Sequence, residues 1–222
     1  MACNKPYGRP ADLPKVVPVF PLEGALLLPR GELPLNVFEP RYVAMIDHAL
    51  AGDRVIGMVQ PRPDQNDTDP PRLSEVGCLG RLTSFQETGD GRYLITLTGV
   101  CRFRVVEEVA GDTPFRRCQV SIADFVDDLT PRCGESEVDR DRLLDMFHQY
   151  LDANGLETDW DSIERASTET LVNALSMMSP YGAREKQALL EAPDLSTRAE
   201  VLIAVTEMNL ARGGDGGATT LQ

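Results

Sequence analysis

The chain is poor in the residues that most often carry chemistry. Among its 222 residues are two histidines, one tryptophan and five cysteines, and its only lysines are Lys5, Lys15 and Lys186. His48 and His148 lie on separate segments with no metal-type partner nearby, so both are expected on helix faces rather than as ligands. Cys3, Cys78, Cys101, Cys118 and Cys133 are odd in number and contain no CxxC pair. That is the pattern of free packing thiols, not of a disulfide framework or a zinc site. No lysine stands in a phosphate-cradling GxxxxGK loop, and the HExxH, GxSxG and SxxK arrangements are absent too. No apolar run reaches the ~18 residues of a membrane helix. The opening MACNKPYGRPADLPK has no apolar stretch of the signal type, and a cytoplasmic location is expected.

Two acidic groupings come nearest to a site. Asp64, Asn66, Thr68 and Glu75 match positions one, three, five and twelve of a calcium loop, but Asp69 replaces the turn glycine and Pro70 and Pro71 follow it. Asp152, Glu157, Asp159 and Asp161 surround Trp160 and would act as an acid and base pair only if a cleft raised one pKa. Neither grouping is expected to hold a metal or do catalysis, and no cofactor is expected. Gly89-Asp90-Gly91 is two thirds of a dinucleotide fingerprint, but Leu94 stands in place of the third glycine and a strand follows, so a hairpin turn is expected.

Charge is unevenly placed. Residues 1–106 carry 12 acids and 12 bases, residues 107–170 carry 17 against 6, and residues 171–222 carry 6 against 4, giving a net charge of −13. Neutralising several phosphates takes a basic stripe, which neither the neutral first half nor the acidic middle supplies. Nucleic acid and anionic membrane are therefore not expected as partners.

The hydrophobic pattern changes period once. Val16–Phe20, Ala25–Leu28, Leu33–Phe38, Val55–Gln60, Val76–Phe85, Arg92–Val109 and Phe115–Val126 read as strands, with edges or bulges wherever proline removes a ladder donor. One helix interrupts them, with Pro40 in its first turn, Tyr42, Val43, Ile46 and Ala49 facing inward, and a stop at Gly52. After Asp127 the period becomes helical. Helices are expected over about 137–153 with Leu143, Leu144, Phe147, Tyr150 and Leu151 inward, and over Thr168–Met178 with Leu171, Leu175 and Met178 inward. Two more follow, over Ala183–Glu191 and from Ser196 or Thr197 onward, the last with Thr197 and Glu200 as a capping box and Val201, Leu202, Val205 and Met208 inward. The expected organisation is a flexible segment 1–13, a β-rich unit 14–126, a linker 127–136, a helical bundle 137–212 and a disordered tail 213–222. The fold class is α+β.

Three separated blocks carry a family resemblance. FPLEGALLLPRGELPLNVFEPRY (Phe20 to Tyr42) resembles the opening signature of the Lon protease N-terminal, substrate-binding domain family. VGCLGRLTSFQETGDGRYLITLTGVCRFRVVEE (Val76 to Glu108) and EKQALLEAPDLSTRAEVL (Glu185 to Leu202) are similar to later parts of the same module, in the same order. The resemblance implies a PUA-like pseudo-barrel of antiparallel strands with one helix, followed by a helical bundle. It also implies a non-catalytic module that binds unfolded or extended polypeptide, with a protease or chaperone as associate. A chain of this length has no room for the family's ATPase and Ser-Lys protease domains. Phe20, Leu22, Leu35, Phe38 and Phe103 are expected in the core. Glu39, Arg41, Tyr42 and Arg102 are the candidate partner-binding residues; Glu39, Arg41 and Arg102 either close the barrel as an ion-pair network or present a polar face to a peptide. The alternative is a small-ligand binder or an enzyme using an unrecognised carboxylate site between sheet and bundle.

Overall fold

The computed structural model describes residues 7–62 and 70–215. Among the described residues six strands form one sheet: β1 (Val16–Pro21), β2 (Glu32–Val37), β3 (Val55–Pro61), β4 (Leu73–Glu87), β5 (Tyr93–Glu108) and β6 (Arg117–Ser121). Helix α1 (Pro40–Ala51) lies between β2 and β3. Five helices follow the sheet: α2 (Arg140–Asn154), α3 (Trp160–Arg165), α4 (Thr168–Met178), α5 (Ala183–Glu191) and α6 (Leu195–Asp215).

Strand order is β2-β5-β4-β3-β1-β6, and β6 also pairs with β5, so the ladder returns to a strand it has already used. Only β2 stands outside that circuit. All pairings are antiparallel except β1 with β3, where Val19, Phe20 and Pro21 run parallel to Gly57, Met58 and Val59. The pseudo-barrel of antiparallel strands that the resemblance implies is corrected at that pair, where α1 acts as a crossover and delivers β3 in the direction of β1. The long β4–β5 hairpin turns at Gly89-Asp90-Gly91, where both glycines adopt positive φ, as the Asp-Gly signal requires.

Three strand expectations fail for one reason, the lack of a ladder partner. Ala25–Leu28 is an irregular segment, yet Leu26, Leu27 and Leu28 are buried, so the apolar run plugs the sheet instead of extending it. Residues 123–129, expected in the last strand, form a 3-10 helix that buries Phe125 and Asp128. Phe38 lies just past the end of β2 and is 61% exposed, so it is not a core residue. The core does take in Phe20 and Phe103, the latter lying over Gly57 and Gly77, where any side chain would collide with its ring.

The helices obey their capping chemistry. Asp139, Asp159 and Ser167 accept hydrogen bonds from the third residue of α2, α3 and α4, and Gly155 ends α2 in the left-handed conformation. Helix α6 is capped by Asp194, whose carboxylate accepts from the Thr197 amide at 2.7 Å. Thr197 is therefore already inside the helix, and the expected capping box does not form. The inward face of α4 carries Leu171, Val172 and Ser176, which turns Met178 outward to 81% exposure. Met208 is likewise exposed. Residues 7–13 include a 3-10 turn at Pro10–Asp12 and a buried Leu13.

Candidate functional site

Where the sheet meets the helices, two arrangements of side chains contrast sharply. The first is a sealed polar junction. Arg102, on β5, is 3% exposed, and its Nε and Nη2 each lie 2.8 Å from the carboxylate of Asp128. The same carboxylate accepts from the Arg102 amide at 2.9 Å. Nη1 donates to the carbonyls of Leu190 and Ala192, and the guanidinium lies 4.5 Å from the Phe125 ring centroid. Next to it, Arg198 of α6 donates to Leu189 O and to Asn173 Oδ1, each at 3.0 Å. Burial, together with the charge of Arg102, pulls the Arg198 pKa down to about 10. The segment expected as a linker thus supplies a buried anion that joins sheet to bundle.

The second arrangement is open. The segment Gly24–Pro34 and helix α4 enclose a groove of about 460 Å³. Its apolar wall is Leu33, Pro34, Ala174, Met177 and Met178, with Met177 lying over Gly31. One end is closed by Arg30, which donates to Glu169 and to the carbonyl of Asp128. Glu169 in turn accepts from the Arg132 amide at 2.9 Å. Lys186 borders the groove, and burial lowers its pKa. Beside this groove runs β2, which pairs with β5 alone and leaves its other edge unpaired in the sheet.

Gly99 makes this wall. A Cβ there would stand 2.0 Å from the Leu28 carbonyl oxygen, and the bare backbone lets the 28–31 segment cross β5 and exchange two hydrogen bonds with it. Arg30, at the turn, adopts a left-handed φ of 65°.

The four candidate residues do not come together. Glu39 and Arg41 form an exposed ion pair at 2.8 Å, and Arg41 lies over the Tyr42 ring at 4.5 Å. Tyr42 is 8% exposed and packs on Phe20, with ring centroids 4.2 Å apart, so it is mainly a core residue. Arg102 belongs to the sealed junction. Among the described residues no ion pair links it to Glu39 or Arg41, and at 3% exposure it presents almost no surface to a partner. Of the calcium-like grouping, residues 64–69 lie outside the described residues. In the acidic grouping, Asp159 caps α3, and its bond with the Ser162 hydroxyl lowers its pKa, the opposite of what a general acid needs. Among the described residues no group of His, Cys, Asp and Glu is placed to hold a metal ion. Met177 and Met178 were missed as site residues, because Met178 stands at helical spacing from Leu171 and Leu175 and so falls on the same apolar stripe in the sequence.

Comparison with known proteins assigns the class. The family model described as the ATP-dependent protease La (LON) substrate-binding domain matches residues 16–206, and the chain belongs to that family. Lon protease 2 of Myxococcus xanthus is 30% identical over 202 residues, covering 86% of this chain and 23% of that protein. Lon protease 2 of Sorangium cellulosum is 26% identical over 220 residues, covering 95% of this chain and 27% of that protein. The chain thus spans about a quarter of the length of these relatives. The N-terminal domain of Mycobacterium avium complex Lon protease superposes with a TM-score of 0.65 at 18% identity, over 87% of this chain and 98% of that one. A Lon N-terminal domain protein from Xanthomonas campestris gives 0.55 at 24% identity, over 85% and 97%. Both likenesses establish a shared fold. The match is confined to a substrate-binding domain, a part without the ATPase or the protease.

Proposed function

We propose that the chain binds extended polypeptide segments in the groove between β2 and α4, as a non-catalytic recognition module. The observation that carries this reading is the meeting of an unpaired strand edge with an exposed methionine wall. A strand edge offers backbone donors and acceptors to any sequence, and methionine side chains repack around many apolar partners. Together they suit a ligand defined by being unfolded rather than by its sequence. Pro34 removes one donor from the edge, and Glu32 places a charge on it, which makes the grip short and reversible and limits uncontrolled strand addition. The family description supports the polypeptide as ligand class.

On the same reading the closed circuit of pairings is a PUA-like pseudo-barrel, and 14–126 and 137–212 are two units joined by a structural 127–136 segment. The setting is cytoplasmic protein quality control, with the module as adaptor to a protease or chaperone and without nucleic acid or membrane as partner. No described helix is long and apolar enough to cross a membrane.

The test is fluorescence anisotropy with labelled, permanently unfolded peptides and the full chain. Met178→Asp and Met177→Ser are expected to weaken binding about tenfold, the scale of one lost apolar anchor, with an unchanged melting temperature for exposed Met178→Asp and a lowered one for half-buried Met177→Ser. Equal affinity in parent and both variants would remove the groove from consideration.

A further inference from the structure

The groove between Gly24–Pro34 and α4 carries one cation without a partner. Of the four charged residues that border it, Arg30 and Glu169 hold each other, and Glu32 stands exposed at the β2 edge. Lys186, reaching the groove from α5, makes no side-chain hydrogen bond or ion pair among the described residues. Burial alone lowers its pKa, and no described carboxylate stands near enough to raise it again. A half-buried ammonium without a counter-ion is a place short of an anion.

The same groove offers donors of a second kind. Gly24 turns the chain with a left-handed φ of 71°, and the amides of residues 25–28, which follow the turn, take no hydrogen bond among the described residues. Ala25 and Leu26 are the two of these that border the groove with Lys186, and Leu26 is 2% exposed. Buried amides are nearly always paired, and consecutive amides at a turn form a cradle for an anion. On this side the groove is shut. The Gln60 side chain, 1% exposed, accepts from the Gly24 amide at 3.0 Å and donates to Ala183 O at 3.1 Å and Gln187 Oε1 at 3.0 Å, which fastens the turn to α5. A chain lying in the groove therefore cannot run on between the turn and α5.

We propose, on the basis of the peptide reading above, that Lys186 and the amides of Ala25 and Leu26 hold the C-terminal carboxylate of the polypeptide that lies in the groove. An ammonium and neighbouring amides match the two oxygens of a carboxylate. A ligand that stops at the shut side ends there in a terminus, whereas an internal Asp or Glu would need the chain to continue past it. Helix α4 borders the groove from Glu169 to Met178, a rise of about 13 Å at ~1.5 Å per residue. That is the reach of about four extended residues. The ligand is thus a short apolar tail with a free carboxyl end.

The test is fluorescence anisotropy on the full chain with three N-terminally labelled peptides of one apolar, permanently unfolded sequence: the free C-terminal acid, its C-terminal amide, and the amide carrying one internal aspartate. The acid is expected to bind about tenfold or more tighter than the plain amide, as a charge-assisted hydrogen bond implies, and the aspartate peptide to bind as the amide does. Lys186→Met, which keeps the aliphatic stem, should bring the acid down to the affinity of the amide, and Lys186→Arg should keep part of the preference. Equal binding of acid and amide, an aspartate peptide as tight as the acid, or a preference that survives in Lys186→Met would overturn the proposal. If acid and amide bind equally and both weaken in Met178→Asp, the carboxylate clamp alone falls and the groove stands. If neither binds, or neither responds to Met178→Asp, the groove falls and the clamp with it.

Discussion

The junction around Arg102 and the groove around Met178 both lie where sheet meets helices, and they invert the usual placement of polar and apolar groups. In the junction, charge is buried: Arg102 at 3% exposure meets Asp128 at 9%. In the groove, apolar surface is exposed, with Met178 at 81%. Buried charge costs desolvation and persists only when partners satisfy it, and the junction supplies a bidentate carboxylate plus three carbonyls. The groove has no such closure. The junction therefore fixes how the bundle sits on the sheet, and the groove is the apolar surface which that fixed geometry holds open. Rigidity on one side is what gives the other side a constant shape.

Substitutions break this contrast in a graded way. Asp128→Ala leaves the Arg102 charge buried without its counter-ion and is expected to destabilise by about 3–5 kcal/mol, read as a lower urea midpoint. The double change Arg102→Met with Asp128→Leu should recover most of that loss, which would separate an unpaired charge from a packing defect. Next comes Gly99→Ala. Its methyl group would press on the Leu28 carbonyl, so a loss of about 1–3 kcal/mol is expected, and peptide affinity should fall with it because the groove wall shifts. Asp194→Ala removes the α6 cap and should cost about 1 kcal/mol near neutral pH. The Asp194 carboxyl is held below its ordinary pKa of 3.8, chiefly by the Thr197 amide, so its contribution is complete above the ordinary value. It fades as pH falls through the folded-state value, and parent and Asp194→Ala unfolding midpoints should converge there. Smallest in stability is Met178→Asp, with a shift within about 0.5 kcal/mol, while its peptide affinity falls. A large drop in melting temperature for that variant would mean the methionine wall is structural.

Local signals were legible in the sequence and long-range ones were not. The limits of α4 and α5 follow from periodicity and from the prolines that flank them, and the β4–β5 hairpin follows from Gly89-Asp90-Gly91. The α6 cap was misplaced by two or three residues because Asp194, Ser196 and Thr197 are all good caps, and the choice rests on where the chain leaves α5. Ala25–Leu28 has the composition of a strand, but whether an apolar run finds a ladder partner is decided by residues as far away as Gly99. Arg102 was singled out, yet its partner Asp128 stands 26 residues on, in a stretch whose acidity reads as solvated. Of the groove, Pro34 was visible as an edge signal. Met178 was read as core because a stripe drawn on one helix does not show which neighbour will cover it.

The pairing of β6 with both β1 and β5 also sets a timetable. β1 begins at Val16, and its antiparallel partner is complete only at Ser121, roughly 100 residues later. At ribosomal speeds of about 5–20 residues per second, the first strand waits on the order of 5–20 s for the neighbour that closes the circuit. Through that interval the newborn chain is itself an extended polypeptide, the same kind of object that we propose its finished groove holds.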